Sequence, residues 1–143
     1  MLRYACVSFV ILGSFLVAAG LQEEKQKLHD YWSEAFKSCS KEFGISLEDV
    51  EATKENKSDI DPCFIKCILK SNKLIDDKGM FDPKQGMEIA EMFITNPDEL
   101  AKIKKVSDTC QSVNDEKVSD GEKGCERSVL LMQCLMENKS QLL

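Results

Sequence analysis

Cysteine is the residue type with the clearest chemical pattern in this chain of 143 residues. Six of its seven cysteines lie beyond residue 20, and the gaps between them are 23, 3, 42, 14 and 8 residues. These six are Cys39, Cys63, Cys67, Cys110, Cys125 and Cys134. An even number of cysteines in a small secreted chain is typical of a disulfide framework. We therefore predict three disulfides.

Zinc is the competing use of the same thiols, because Cys63 and Cys67 are closely spaced and His29 adds an imidazole. An oxidising compartment favours disulfides over a thiolate metal site. We accordingly predict neither a metal nor any other cofactor.

Catalysis has little support in the sequence. His29 and Asp30 resemble the start of a secreted phospholipase A2 motif, but Tyr31-Trp32-Ser33 stand where paired cysteines should follow. A lone histidine near the mature N-terminus does not support a Ser, His and Asp set. We predict that the chain is not an enzyme, and that His29 is a solvated surface residue rather than a pH sensor.

Residues 1–20 have the layout of a secretory signal peptide. Arg3 precedes an apolar run over residues 7–17, and small residues fill positions 18–20. We expect cleavage after Gly20, which also removes Cys6 and leaves one domain over residues 21–143. An uncleaved interfacial anchor is the alternative, since the run falls short of the roughly 20 apolar residues that a membrane span needs.

The charge balance excludes some partners. The chain has 19 basic and 25 acidic residues, a net charge of −6, and removal of Arg3 brings the mature chain to −7. Phosphate binding needs a basic surface, so nucleic acid is not expected as a partner. Acidity of this kind is typical of a soluble protein.

The elements that position the cysteines are predicted to be helices. Apolar residues from Leu28 to Phe43 recur at intervals of three and four, which predicts a first helix over about Gln22 to Glu42. The segment Ser46 to Asp49 has the form of a capping box before a short second helix. Asp-Pro and Asn-Pro pairs mark three further helix starts. The predicted later helices are 61–71, 82–94, 97–113 and about Glu122 to Asn138, with loops at 72–80 and 114–124.

Helix geometry restricts the disulfide pairing. Cys63 and Cys67 lie on one face of a helix with parallel side chains, and Cys125 and Cys134 point to opposite sides of another. Excluding these two bonds leaves ten of the fifteen pairings open. The fold class is all-α, a compact bundle of about six helices.

The sequence resembles the insect odorant-binding proteins, also called pheromone/general odorant-binding proteins. That family has six cysteines with three residues between the second and third and eight between the fifth and sixth, as in Cys63-Phe-Ile-Lys-Cys67 and in Cys125 to Cys134. The segment Asp77 to Asp82 is similar to a family loop, whereas the gap of 14 before Cys125 is long for the family. The resemblance implies disulfides Cys39–Cys67, Cys63–Cys125 and Cys110–Cys134, around an internal apolar cavity.

The function implied by the resemblance is that of a secreted carrier, which binds odorants, pheromones or related apolar molecules in that cavity and moves them through an aqueous lymph. Residues chosen from the inward faces and from matching family positions are the candidate ligand contacts, and ordinary core packing is the competing role for each. They are Trp32, Ala35, Leu69, Leu74, Phe81, Met87, Ala90, Phe93, Ile103, Val106, Met132 and Leu135, with Leu142 and Leu143 as a lid. For the lid, the alternative is a frayed C-terminal tail. The polar candidates for orienting a ligand are Tyr31, Ser128 and Thr109.

The partner expected from this interpretation is a small apolar molecule, with no nucleic acid and no stable membrane insertion. An odorant receptor and a homodimer remain open as protein partners. The alternative function is a humoral or salivary interaction or scavenger protein that uses the six-cysteine scaffold without an olfactory role.

Overall fold

The computed structural model describes the backbone of residues 2–56 and 60–142 and the side chains of residues 20–51 and 60–142. Within these ranges the protein is a bundle of six α-helices. They are α1 (Leu2–Phe43), α2 (Leu47–Asn56), α3 (Pro62–Ser71), α4 (Pro83–Phe93), α5 (Pro97–Cys110) and α6 (Cys125–Glu137). Three short 3-10 helices follow α5, precede α6 and follow α6, at Gln111–Asp115, Gly121–Lys123 and Lys139–Gln141. The all-α fold class is confirmed.

Side-chain caps explain where α3, α4 and α5 begin. A carboxylate oxygen of Asp61 accepts from the N–H of Cys63 at 2.8 Å, and Asp82 accepts from the N–H of Lys84 at 2.9 Å. The amide oxygen of Asn96 does the same for α5. Each cap is followed by a proline that occupies the first helical position, where a missing N–H costs nothing. The three predicted starts are confirmed.

The capping box of α2 is also confirmed. The hydroxyl of Ser46 accepts from the N–H of Asp49 at 3.1 Å, and the carboxylate of Asp49 accepts from the N–H of Ser46 at 2.7 Å. These bonds from Ser46 hold the pKa of the Asp49 carboxyl below its usual value. The start of α2 is therefore fixed by a reciprocal pair of hydrogen bonds.

The predicted start of α1 at Gln22 is wrong, because the helix begins at Leu2. Prolines occur in the chain only at positions 62, 83 and 97, and Gly20 has open space around it, so nothing local ends the helix near residue 20. The side chains of residues 1–19, including Cys6, lie outside the described residues. The signal-peptide interpretation remains a prediction.

Two further boundaries differ from prediction near the last two helices. Helix α5 ends at Cys110, three residues before its predicted end, and continues as a 3-10 turn. Helix α6 begins at Cys125 rather than Glu122, because Gly124 has a left-handed φ of +74°. The carboxylate of Asp120 then caps α6, accepting from the N–H groups of Cys125 and Glu126 at 2.8 and 3.0 Å.

Three disulfides join the helices as the family resemblance implies. Cys39–Cys67 connects α1 to α3, Cys63–Cys125 connects α3 to α6, and Cys110–Cys134 connects α5 to α6. Both α3 and α6 therefore carry two bonds each. The contact between α3 and α6 is the most extensive between described helices, and α4 packs against α5.

The core is divided into two apolar clusters that meet at Trp32 and Ile65. The smaller one, called here the Phe64 cluster, is built around buried Cys39, Phe64 and Ile68, between α1, α2 and α3. The larger one, called here the central cluster, contains nine buried side chains from α3, α4, α5, α6 and the segments between them. Helix α1 adds Tyr31 and Trp32 to its edge.

None of the helices within the described residues is both long enough and apolar enough to span a membrane.

Candidate ligand-binding site

Nine of the fourteen predicted ligand contacts lie in the central cluster. Four of the nine are buried, with Leu69 fully inaccessible and Val106 only 2% exposed. The nine are Trp32, Leu69, Leu74, Phe81, Phe93, Val106, Met132, Leu135 and Leu142. They come from five helices, the loop after α3 and the C-terminal segment, so residues distant in sequence converge on one apolar region. Their role as ligand contacts remains a prediction.

The other predicted contacts lie outside this cluster or outside the description. Ala35 and Ala90 are buried, and Met87 and Ile103 are half-buried, but the structure does not bring these four into the central cluster. Leu142 packs on the cluster from the last 3-10 turn, whereas its proposed lid partner Leu143 lies outside the described residues.

The three polar candidates differ in what they offer a ligand. Tyr31 is half-buried, and its ring centroid lies 5.2 Å from that of Phe93 at the edge of the central cluster. The hydroxyl of Ser128 is buried and donates to the carbonyl of Gly124 at 2.7 Å. Thr109 is exposed and donates to the carbonyl of Lys105. Tyr31 is therefore the best placed of the three to meet a guest.

His29 is a surface residue, as predicted, with 74% of its side chain exposed. Among the side chains that the structure describes, no three of His, Cys, Asp and Glu gather in an arrangement that would hold a metal ion.

Several buried members of the central cluster were not among the predicted contacts. Leu131 is fully buried in α6. Ile89 is buried in α4, and Val113 is buried in the 3-10 helix after α5. Leu131 and Ile89 were on helices already assigned, so a stricter count of helical faces would have found them. Val113 and Ile75 lie in segments assigned as helix end and loop, where periodicity gives no signal.

The loop between α3 and α4 carries one wall of the central cluster. Its residues Ile75 and Phe81 form an isolated antiparallel bridge, and both side chains are buried. The carboxylate of Asp76 accepts from the N–H groups of Lys78 and Met80, both at 2.9 Å, which closes the turn between them. This loop is thus a small hairpin with a fixed apolar face.

The tip of that hairpin packs directly on the start of α6. A Cβ on Gly124 would lie 2.4 Å from the carbonyl carbon of Lys78, and one on Gly79 would lie 2.5 Å from the carbonyl oxygen of Gly124. Both glycines also have positive φ, which other residues adopt at a cost. Backbone therefore meets backbone here with no room for a side chain.

Lys66 reinforces the same junction from α3. Its ammonium donates to the carbonyls of Asp77 and Lys123, both at 2.6 Å, and so joins the hairpin to the segment before α6. Charge-assisted bonds of this kind are stronger than neutral ones. The Cys63–Cys125 disulfide ties α3 to the start of α6 at the same junction.

A polar rim joins α1 to the connection between α4 and α5. The carboxylate of Glu24 accepts from the hydroxyl of Thr95 at 2.5 Å and from its N–H at 3.3 Å. Glu99 lies 2.8 Å from Lys102 and 3.8 Å from Lys25, and the hydrogen bond from Lys102 lowers the pKa of the Glu99 carboxyl. Charged side chains of α1 and α5, together with the hydroxyl and N–H of Thr95, make this contact.

Two clefts on the described surface reach predicted residues. One is bordered by Ile75 and Phe81 on the outer side of the hairpin. The other is bordered by Ala35, Tyr31 and Asn72, between α1 and the end of α3. Both clefts open from solvent toward predicted contacts.

A family model matches residues 21–138, and its description is the PBP/GOBP family. The chain belongs to this family. General odorant-binding protein 28a of Drosophila melanogaster is 30% identical over 111 residues, which is 75% of this chain and 76% of that protein. The PBP/GOBP assignment agrees with the cysteine spacing and with the three disulfides.

A solved structure from the same group shows the same fold. Odorant-binding protein dmelOBP28a from Drosophila melanogaster aligns with a TM-score of 0.59 at 24% sequence identity. The alignment covers 85% of this chain and 100% of that one. The helical bundle described above is therefore the PBP/GOBP fold.

Proposed function

We propose that the mature chain, residues 21–143, is a secreted carrier that reversibly binds small apolar molecules of the odorant or pheromone type within the central cluster. The observation that carries the proposal is the convergence of nine predicted contacts from five helices, a hairpin and the C-terminal segment in one region. The family match begins at residue 21, which supports cleavage after Gly20.

The energetic basis of binding is burial of apolar surface. A guest that buries about 500 Å² of apolar area gains about 12 kcal/mol, at about 25 cal/mol per Å², and association costs at least about 4 kcal/mol of this. The remainder of about 8 kcal/mol corresponds to an affinity in the micromolar range. Binding of this kind involves no bond-making step, which agrees with a carrier rather than an enzyme.

The disulfides supply the stability that such a site requires. Opening space in a core costs about 24 cal/mol per Å³. The Cys63–Cys125 bond closes the longest loop, with a sequence separation of 62, and the loop-entropy model assigns it about 4 kcal/mol. With three such bonds, the bundle tolerates a guest between its helices without losing its topology.

Displacement of a fluorescent probe tests the proposal. The mature chain, refolded with its disulfides formed, is titrated with N-phenyl-1-naphthylamine and then with medium-chain alcohols, esters and fatty acids. We expect saturable probe binding at micromolar concentration and displacement by the apolar compounds. A protein that binds no probe and shows no displaceable site would contradict the carrier and favour a scaffold that only contacts other proteins.

A further inference from the structure

Phe81 lies opposite Ile75 in the hairpin, but its own N–H and carbonyl are hydrogen-bonded to the side chain of Asn114. The amide oxygen of Asn114 accepts from the N–H of Phe81 at 2.8 Å, and the amide nitrogen of Asn114 donates to the carbonyl of Phe81 at 2.8 Å. One side chain thus satisfies both backbone groups of one residue, in the manner of an adjacent strand.

Asn114 is itself held in place by α6. It lies in the 3-10 helix Gln111–Asp115, next to buried Val113. A guanidinium nitrogen of Arg127 lies 2.5, 2.9 and 3.1 Å from the carbonyl oxygens of Val113, Asn114 and Glu116. These contacts fix the turn from which the Asn114 amide projects, since charged donors hold carbonyls strongly.

The side chain held in this way forms part of the central cluster. Phe81 is 4% exposed, and the bridge to Ile75 supports its other side. The ring reaches α4, where a Cβ on Gly86 would lie 3.7 Å from one ring carbon of Phe81 and 3.5 Å from a methyl carbon of Leu74. The position of Phe81 therefore sets the distance between the hairpin and α4.

We propose that Asn114 is a positioning residue that determines ligand size, because it holds Phe81 as a fixed wall of the binding region. This inference rests on the proposed carrier function. While both hydrogen bonds between Asn114 and Phe81 are intact, Phe81 stays in place. Ligands that fit only if Phe81 moves then bind more weakly. Loss of the two Asn114 hydrogen bonds leaves Phe81 held only by the hairpin, so that Phe81 shifts more easily and longer chains are admitted.

The test uses Asn114→Ala and Asn114→Asp in the full mature chain. At neutral pH an aspartate keeps an acceptor for the N–H of Phe81 but directs a second oxygen at its carbonyl, so the pair is broken without a change of shape. Phe64→Leu serves as the matched control, since its loss of stability arises in the other cluster. The readouts are hydrogen exchange of the Phe81 amide and the affinities for decan-1-ol and hexadecan-1-ol, each measured by displacement of N-phenyl-1-naphthylamine.

We expect both Asn114 variants to raise the exchange rate of the Phe81 amide by about tenfold. We also expect the affinity ratio of the two alcohols to shift by about fivefold toward hexadecan-1-ol. Phe64→Leu should change neither readout. An unchanged ratio in Asn114→Ala, when the wild type binds both alcohols, would overturn the positioning role and leave the carrier function intact. A wild type that binds neither alcohol would overturn both.

Discussion

The two apolar clusters are built differently. The Phe64 cluster contains three phenylalanine rings, with the Phe36 and Phe43 centroids 5.7 and 5.9 Å from that of Phe64 in edge-on contact, and it is closed by Cys39–Cys67. The central cluster is mainly aliphatic and draws on more elements, including a hairpin and the C-terminal segment. Fixed ring contacts favour one packing, whereas aliphatic chains and methionine adjust. This difference supports the proposal that the Phe64 cluster maintains the shape of the bundle and that the central cluster binds the ligand.

The largest expected effect is in the Phe64 cluster. Phe64 is 1% exposed, so Phe64→Ala leaves a cavity beside the rings of Phe36 and Phe43 and should cost about 4 kcal/mol of unfolding free energy. Urea unfolding, extrapolated to water, measures this cost. The milder Phe64→Leu should lose about 1.5 kcal/mol and keep the ligand affinity of the wild type. A large loss of affinity in Phe64→Leu would remove the distinction between the clusters.

Gly124→Ala tests whether the hairpin is a fixed wall of the central cluster. The added methyl group would meet the Lys78 backbone and carry the strain of a positive φ, so we expect a loss of about 3 kcal/mol. Gly121→Ala is the matched control, because Gly121 has a φ of +57° with nothing within 4 Å of its would-be Cβ. It should lose only about 1 kcal/mol. Equal losses in the two variants would show that strain alone, and not close packing, acts at Gly124.

Val106→Ala separates stability from binding within the central cluster. Removing two methyl carbons from a side chain that is 2% exposed should cost about 1.5 kcal/mol, as judged by thermal unfolding. The space that it creates adjoins the proposed site, so a saturating alcohol should raise the melting temperature of this variant more than that of the wild type. A smaller ligand-induced rise than in the wild type would place the guest elsewhere.

The smallest expected effect is at the polar rim. Because the folded pKa of Glu99 lies below its usual value of 4.5, its contribution to stability is complete above that pH and is lost as the pH falls through the folded pKa. The wild type should therefore be slightly more stable than Glu99→Gln at pH 7, and the difference should vanish in acid. Urea midpoints measured from pH 7 to pH 3 provide the comparison. A difference that grows in acid would contradict the assignment.

The sequence was sufficient for most of the fold. A capping residue followed by a proline located the starts of α3, α4 and α5. This signal is local, because a capping side chain bonds to N–H groups within three residues of itself. The start of α6 was missed because Gly124 adopts a left-handed conformation and the capping residue, Asp120, lies five residues before Cys125, outside the spacing of an ordinary cap. Disulfide pairing was narrowed by helix geometry to ten patterns, and the family resemblance then singled out the one that the structure contains.

The binding region was predicted less completely. Helical periodicity found residues such as Val106 and Leu69, whose burial follows from one face of a helix. It did not find Val113 or Asn114, which lie in a 3-10 turn whose orientation is set by Arg127 from another helix. Contacts of this kind arise only when the tertiary structure forms. Residues that position a neighbour, such as Asn114, are therefore harder to predict than residues that line the binding region, such as Val106.

The most direct test of the account is the location of a bound guest by methyl NMR. The mature chain, with labelled methyl groups, is saturated with decan-1-ol, and contacts from the ligand to individual methyls are measured. We predict contacts to Leu69, Val106 and Leu131 in the central cluster and none to Ile68 in the Phe64 cluster. Contacts to Ile68 alone, or to surface methyls without any from the central cluster, would contradict the proposal that apolar molecules bind between the helices at that site.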